Sequence, residues 1–144
     1  MQLNTEIVID RPVAAVFARF ADLERAPEWA TPALVRRKLT EGPVGVGTRF
    51  HAVDQYPGRR VEFTVEVTAY ERDRLMAASS AEPMDSGWEA RFVETDGATR
   101  LTLKAYATPK GPLRLLAPVI VPWIQIQIQK DLETLKEHLE REAG

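Results

Sequence analysis

From Ile120 onward, apolar side chains recur at Ile124, Ile128, Leu132, Leu135 and Leu139, in steps of four, four, three and four. That spacing lays them along one stripe of an α-helix. Gln125, Gln129, Glu133, Lys136 and Glu140 occupy the opposite face, so one side seeks a core and the other seeks water. Burying six branched side chains at roughly 1.5 to 3 kcal/mol each gives an upper-bound stabilisation on the order of 10 kcal/mol, comparable with the whole net stability of a small domain. Such a stripe demands a large apolar partner surface. Pro118 and Pro122 complicate its start, since each removes an internal hydrogen bond and crowds the preceding turn. The sequence therefore predicts a leading turn near Pro112 to Leu116, a break, and a main helix from Val119 or Ile120 to Glu142.

The partner surface lies upstream, where the period is two. Leu3, Thr5, Ile7 and Ile9 alternate with polar neighbours as a first strand. Pro12 suits the first position of a helix and Asp10 stands where it can meet the free amides that follow. Val13, Val16, Phe17 and Phe20 then recur at helical spacing, and Asp22 opens a second short helical turn that ends near Pro27, with Trp29 after it. Six further strands are expected at Ala33–Glu41, Thr48–Gln55, Arg60–Tyr70, Leu75–Ser80, Gly87–Glu94 and Thr99–Thr108. Turn residues separate most of them: the glycine-rich run from Gly42 to Gly47, Pro57-Gly58 and Asp96-Gly97. In the cleanest strand, Val61, Phe63, Val65, Val67 and Ala69 share one face, leaving the other wet. Seven consecutive antiparallel strands and one long helix make an α+β layout, with the helix lying across one face of the sheet.

Composition narrows the function classes. A chain of 144 residues is expected to form one domain over 1–144 without staples, in keeping with its lack of cysteine. Nineteen basic and 21 acidic residues are interspersed for a net charge of −2, which argues against a nucleic-acid partner. Arg36-Arg37-Lys38 and Arg59-Arg60 read as solvated strand or turn residues. No uninterrupted apolar run reaches the roughly 18 residues of a membrane span, so stable membrane insertion is not expected. The acidic, alternating N-terminus does not resemble a signal peptide, and a cytoplasmic protein is the expectation. No cofactor is expected: glycines 42, 45 and 47 connect two strands in the wrong order for a dinucleotide fingerprint. Ser79, Ser80 and Ser86 lack a glycine-flanked nucleophile elbow. Two distant histidines without cysteine make a metal site unexpected. His51 depends on strand parity. With Phe50, Ala52 and Asp54 inward it faces out; with Val53 inward it enters the interior, where an acid/base role is available to it.

Ile9-Asp10-Arg11-Pro12 with Val16-Phe17, Asp22 followed by Pro27-Glu28-Trp29, and the Gly42–Thr48 turn resemble the START-like superfamily, also called the SRPBCC or Bet v 1-like group. Pro57-Gly58-Arg59, Asp96 to Arg100, Lys110-Gly111-Pro112 and Asp131-Leu132 with Leu135-Lys136 extend the likeness over essentially the whole chain. Within that group it is most similar to small bacterial proteins of the polyketide cyclase/dehydrase and lipid-transport type. The resemblance implies a helix-grip fold, in which a curved sheet wraps the C-terminal helix around a hydrophobic cavity. It also implies a small apolar or amphipathic ligand as partner. On that resemblance, with strand parity turning Phe50, Phe63, Trp88 and Phe92 inward, Trp29, Phe50, Phe63, Trp88, Ala90, Phe92, Trp123, Ile124 and Gln127 are the expected ligand-binding residues. Ala90, the small residue between Trp88 and Phe92, is where space for a ligand is expected. Three functions follow: a binding or carrier module foremost, a cyclase/aromatase or dehydratase-type enzyme, or an interaction module with a filled interior and an exposed apolar patch.

Overall fold

Each period-two run forms a strand in the computed structural model, which describes residues 2–142; residues 1, 143 and 144 of the expected 1–144 domain lie outside the described residues. Strand β1 (Gln2–Ile9) leads into helix α1 (Val13–Ala21) and a 3₁₀ segment (Leu23–Glu28). Six strands follow: β2 (Ala33–Lys38), β3 (Arg49–Tyr56), β4 (Arg59–Glu71), β5 (Leu75–Ser80), β6 (Met84–Thr95) and β7 (Ala98–Pro109). A second 3₁₀ segment (Gly111–Leu116) then runs into α2 (Ala117–Glu142). The seven strands form one antiparallel sheet in the order β1-β7-β6-β5-β4-β3-β2. The expected consecutive order thus holds from β2 to β7, but β1 pairs with β7, placing Ile7 opposite Leu101. The α1 and 3₁₀ insert carries the chain from one sheet edge to the other, which is why β1 and β2 do not meet.

Local differences from the sequence expectation have identifiable causes. Helix α2 starts at Ala117 and continues through Pro122. Pro118 falls in its first turn, where no internal amide bond is lost, and Pro122 in its second, where only one is. The cap of α1 also differs: Pro12 makes no side-chain cap, the Val13 amide donates to Glu94 Oε1 at 2.7 Å, and the Asp10 amide donates to Glu140 Oε2 at 2.9 Å. In β4 the register against β5 shifts between Val67 and Ala69. A bulge of this kind reverses which residues face the core, and Tyr70 rather than Ala69 packs on Phe17, with ring centroids 5.5 Å apart.

Helix α2 is fastened along the β1 edge. The Thr5 hydroxyl donates to Gln129 Oε1 and Lys136 Nζ to the Val8 carbonyl, both at 2.7 Å, while Arg11 Nη1 donates to the Leu139 carbonyl at 2.6 Å. Its apolar stripe meets two separate packed regions. Leu132, Leu135 and Leu139 join Phe17, Phe20, Ala90, Phe92 and Leu101 in the larger one. Ile120 and Leu113 join Tyr56, Val61, Met84 and Ala107 in the smaller one. Ile124 and Ile128 lie between the two and are only partly buried.

Leu135 has no exposed surface and Glu133 faces solvent. In denaturant melts Leu135→Ala should cost about 2 to 5 kcal/mol, and Glu133→Ala should change little. Ala90 likewise has no exposed surface and sits inside the larger packed region, not beside open space as expected. Ala90→Phe should accordingly overpack and cost about 1 to 3 kcal/mol in the same measurement.

Candidate functional site

Between the two packed regions the sheet and α2 line a partly open cavity of about 230 Å³. Its floor is the inward face of the central strands, including Phe63 and Val65 of β4, Ala78 of β5, Trp88 of β6, and Leu103 and Ala105 of β7. Its roof is Ile124, Ile128, Asp131 and Leu132 of α2, and Phe20, Trp29 and Pro32 close one side. The wall beside α1 is aromatic: Phe20 stands edge-on to Trp88 with centroids 5.3 Å apart and lies 5.5 Å from the Trp29 ring.

Four of the nominated residues, Trp29, Phe63, Trp88 and Ile124, line this cavity together. Phe50, Ala90 and Phe92 share the inward face but belong to the packed core beneath α1. Trp123 packs at the far end, its ring perpendicular to Tyr56 with centroids 5.9 Å apart. Gln127 is half-buried on α2 and contributes no lining atoms. The parity of β3 is now decided: Phe50, Ala52 and Asp54 are buried, whereas His51 stands opposite Arg37 and Thr64 on the outer face. His51 therefore does not reach the cavity, and the interior acid/base role is corrected accordingly.

Among the polar groups that do reach it, Asp54 is the inward alternative that β3 parity offered, whereas Arg36 and Asp131 were not nominated. Arg36 was expected to be a solvated strand residue. The β2–β3 register shifts between Ala33 and Val35, placing Arg36 opposite the inward-facing Ala52. Its guanidinium enters the cavity wall, donating from Nη1 to Asp54 Oδ1 at 2.7 Å and lying 5.4 Å from the centroid of the Phe63 ring. The Tyr56 hydroxyl donates to Asp54 Oδ2 at 3.1 Å. Burial first, and the Asp54 carboxylate second, push the Tyr56 phenol far up its pH scale, so it remains a donor. Across the cavity Asp131 accepts the Thr31 hydroxyl at 2.7 Å, joining the loop before β2 to the roof helix. Burial holds the Asp131 carboxyl above the ordinary aspartate value, against the opposing effect of hydrogen bonds from the Thr31 hydroxyl and amide. The site thus combines apolar walls with a paired guanidinium–carboxylate on the sheet and a carboxyl inclined to hold its proton on the helix.

Two outcomes follow from these pairs. Arg36→Met leaves Asp54, only 5% exposed, without its cation and should cost about 3 to 5 kcal/mol in urea melts, whereas Arg36→Met with Asp54→Leu should recover most of that loss. For Asp131 the native state binds the proton more tightly than the unfolded chain, so its contribution is full below the ordinary value of 3.8 and lost as pH rises through the elevated native value. Asp131→Asn should therefore be more stable than the parent at neutral pH, with the advantage fading as pH falls toward 3.8. An advantage that does not vary with pH would contradict this.

The family model for polyketide cyclase/dehydrase and lipid transport matches residues 1–140. TTHA0849 from Thermus thermophilus superposes with a TM-score of 0.82 at 18% identity, over 100% of both chains. The ZhuI aromatase/cyclase from Streptomyces sp. R1128 does so with a TM-score of 0.81 at 16% identity, over 100% of this chain and 96% of that one. Ara h 8.0201 has a TM-score of 0.70 at 15% identity, over 98% of each chain. Among curated proteins none matches in sequence. These likenesses identify a helix-grip fold, and the near-complete match to the family model establishes that the chain belongs to the polyketide cyclase/dehydrase and lipid-transport family of the START-like superfamily.

Proposed function

We propose that the protein binds a small amphipathic molecule between the sheet and α2, as a carrier or binding module. The observation that carries this reading is the cavity itself. The space exceeds the roughly 150 Å³ that admits benzene to an apolar interior, so a ligand larger than one aromatic ring fits. Aromatic and aliphatic walls favour an apolar body, and the Arg36 guanidinium favours a ligand oxygen such as a carbonyl, phenol or carboxylate. The family description and the aromatase/cyclase among the structural neighbours are in keeping with such a ligand.

A second reading, a cyclase or dehydratase-type enzyme, draws on Asp131, a buried carboxyl with an elevated pKa at the cavity wall. Such a group can give or accept a proton at a bound oxygen or at a carbon beside a carbonyl. An interaction module without ligand is the least supported reading, because the interior is not filled.

Titration with an apolar fluorescent naphthalene probe, read through Trp29 and Trp88, tests the proposal. Binding should saturate at one probe per chain. Ala105 is half-buried on the inward face of β7 and lines the cavity. Ala105→Phe should abolish probe binding while leaving the thermal melt nearly unchanged. Undiminished binding in that variant would place the ligand elsewhere. Native mass spectrometry of protein from its own host should show a co-purified molecule, and a carrier should lose none of it on Asp131→Asn, whereas an enzyme should lose turnover.

A further inference from the structure

The outer face of the segment from Gly111 to Lys130 is apolar and uncovered. Leu115 is 86% exposed, Val119 56% and Ile126 55%. With exposed Pro122 they form a row at steps of four, three and four, roughly 16 Å long at helical rise. The helical segment contains an 18-residue window of mean hydropathy 1.2, of which only 11% is buried. A row of this kind marks an interaction surface more often than a solvated one.

The charges around the row select its partner. From Gly97 to Lys130 the sequence has no acidic residue, while Lys110, Arg114 and Lys130 flank the row. The acids of α2, Asp131, Glu133, Glu137, Glu140 and Glu142, all lie beyond it. Tyr56 and Val61 pack with Leu113 and Ile120, which brings the Arg59-Arg60 turn to the same end of the molecule. Three acids lie there, Glu62 and Asp85 on strands and Glu82 in the β5–β6 connection, and Glu82 pairs with Lys110 at 3.4 Å. The helical segment from Gly111 to Lys130 that carries the exposed apolar row thus holds Arg114 and Lys130 and no acid of its own.

We propose that this face docks on an anionic lipid bilayer, with Leu115, Val119 and Ile126 entering the headgroup boundary and Arg114 and Lys130 meeting lipid phosphates. A second copy of the chain fits less well. A two-fold interface built on this patch would set cation against cation, and a single helical row supplies less than the roughly 800 Å² per partner of a stable interface. The helix lies on the bilayer and does not cross it, because Ile120, Leu132, Leu135 and Leu139 on its other face are buried in the protein. Ile124 and Ile128 of the same helix line the cavity, so a docked molecule would hold its binding site beside the source of an apolar ligand.

Co-sedimentation with vesicles, without added ligand, tests this. The protein should bind phosphatidylcholine vesicles containing about one quarter phosphatidylglycerol at least about tenfold more tightly than phosphatidylcholine alone, and lose that preference near 0.5 M salt. Leu115→Glu with Ile126→Glu should abolish binding without altering the thermal melt. Arg114→Gln should weaken it about fivefold, the equivalent of about 1 kcal/mol per surface cation. Absence of binding to the anionic vesicles, or a parent dimer that the double variant converts to monomer, would overturn the proposal. Vesicle binding retained by Ala105→Phe would uphold docking even if the cavity took no ligand, so the two proposals fail separately.

Discussion

Everything in this fold answers to the burial of one helical stripe. Helix α2 carries more apolar length than either packed region covers, and the sheet meets it twice, once under Leu132–Leu139 and once under Ile120. What lies between is set by small residues on the floor of the sheet. Ala78 and Ala105 stand there in place of large side chains, so Ile124 and Ile128 are only partly buried against the two packed regions. The cavity is thus a consequence of how the helix register matches the sheet. Hydrogen bonds along β1, from Thr5, Arg11 and Lys136, hold that register.

The same frame explains how much could be read from residues alone. Strong periodicity located every strand and the long helix, because alternation and the 3.6-residue repeat each report which face is buried. The α+β helix-grip arrangement followed from those patterns together with the family resemblance. Pairing of β1 with β7 was not visible, since no local pattern records which edge a strand joins. The cavity-lining residues were legible only in part. Parity identified Phe63 and Trp88 as inward, but it treats a packed residue and a lining residue alike, so Ala90 and Phe92 were grouped with them. Arg36 was missed for a sharper reason: the irregular register between Ala33 and Val35 reverses parity at the point where it matters. A half-buried arginine in a short basic run leaves no compositional trace.

The interior polar groups differ in how fully they are partnered. The Arg36–Asp54–Tyr56 cluster is internally paired and can serve orientation without chemistry. Asp131 is different, because its hydrogen bonds to Thr31 do not offset the desolvation that raises its pKa. Its carboxyl also ties the loop before β2 to the helix roof, so loop position and protonation meet at one residue. The Trp29 indole N–H and two guanidinium nitrogens of Arg19 are buried without hydrogen-bond partners among the described residues. All three belong to the insert that walls this side of the cavity, which makes that insert the least satisfied part of the structure.

Ligand space, on this account, lies in the gap between Ile120 and Leu132 on the inner face of α2. Isoleucine methyl NMR addresses it directly, because the chain has six isoleucines and three fall within this stretch of the helix. Ile124 and Ile128 line the cavity, whereas Ile126 faces solvent and Ile9 is packed in the core. On titration with an apolar naphthalene probe, the Ile124 and Ile128 methyl resonances should shift together and saturate, while Ile126 and Ile9 stay in place. Shifts confined to Ile126, or no shift at Ile124 and Ile128, would contradict the account.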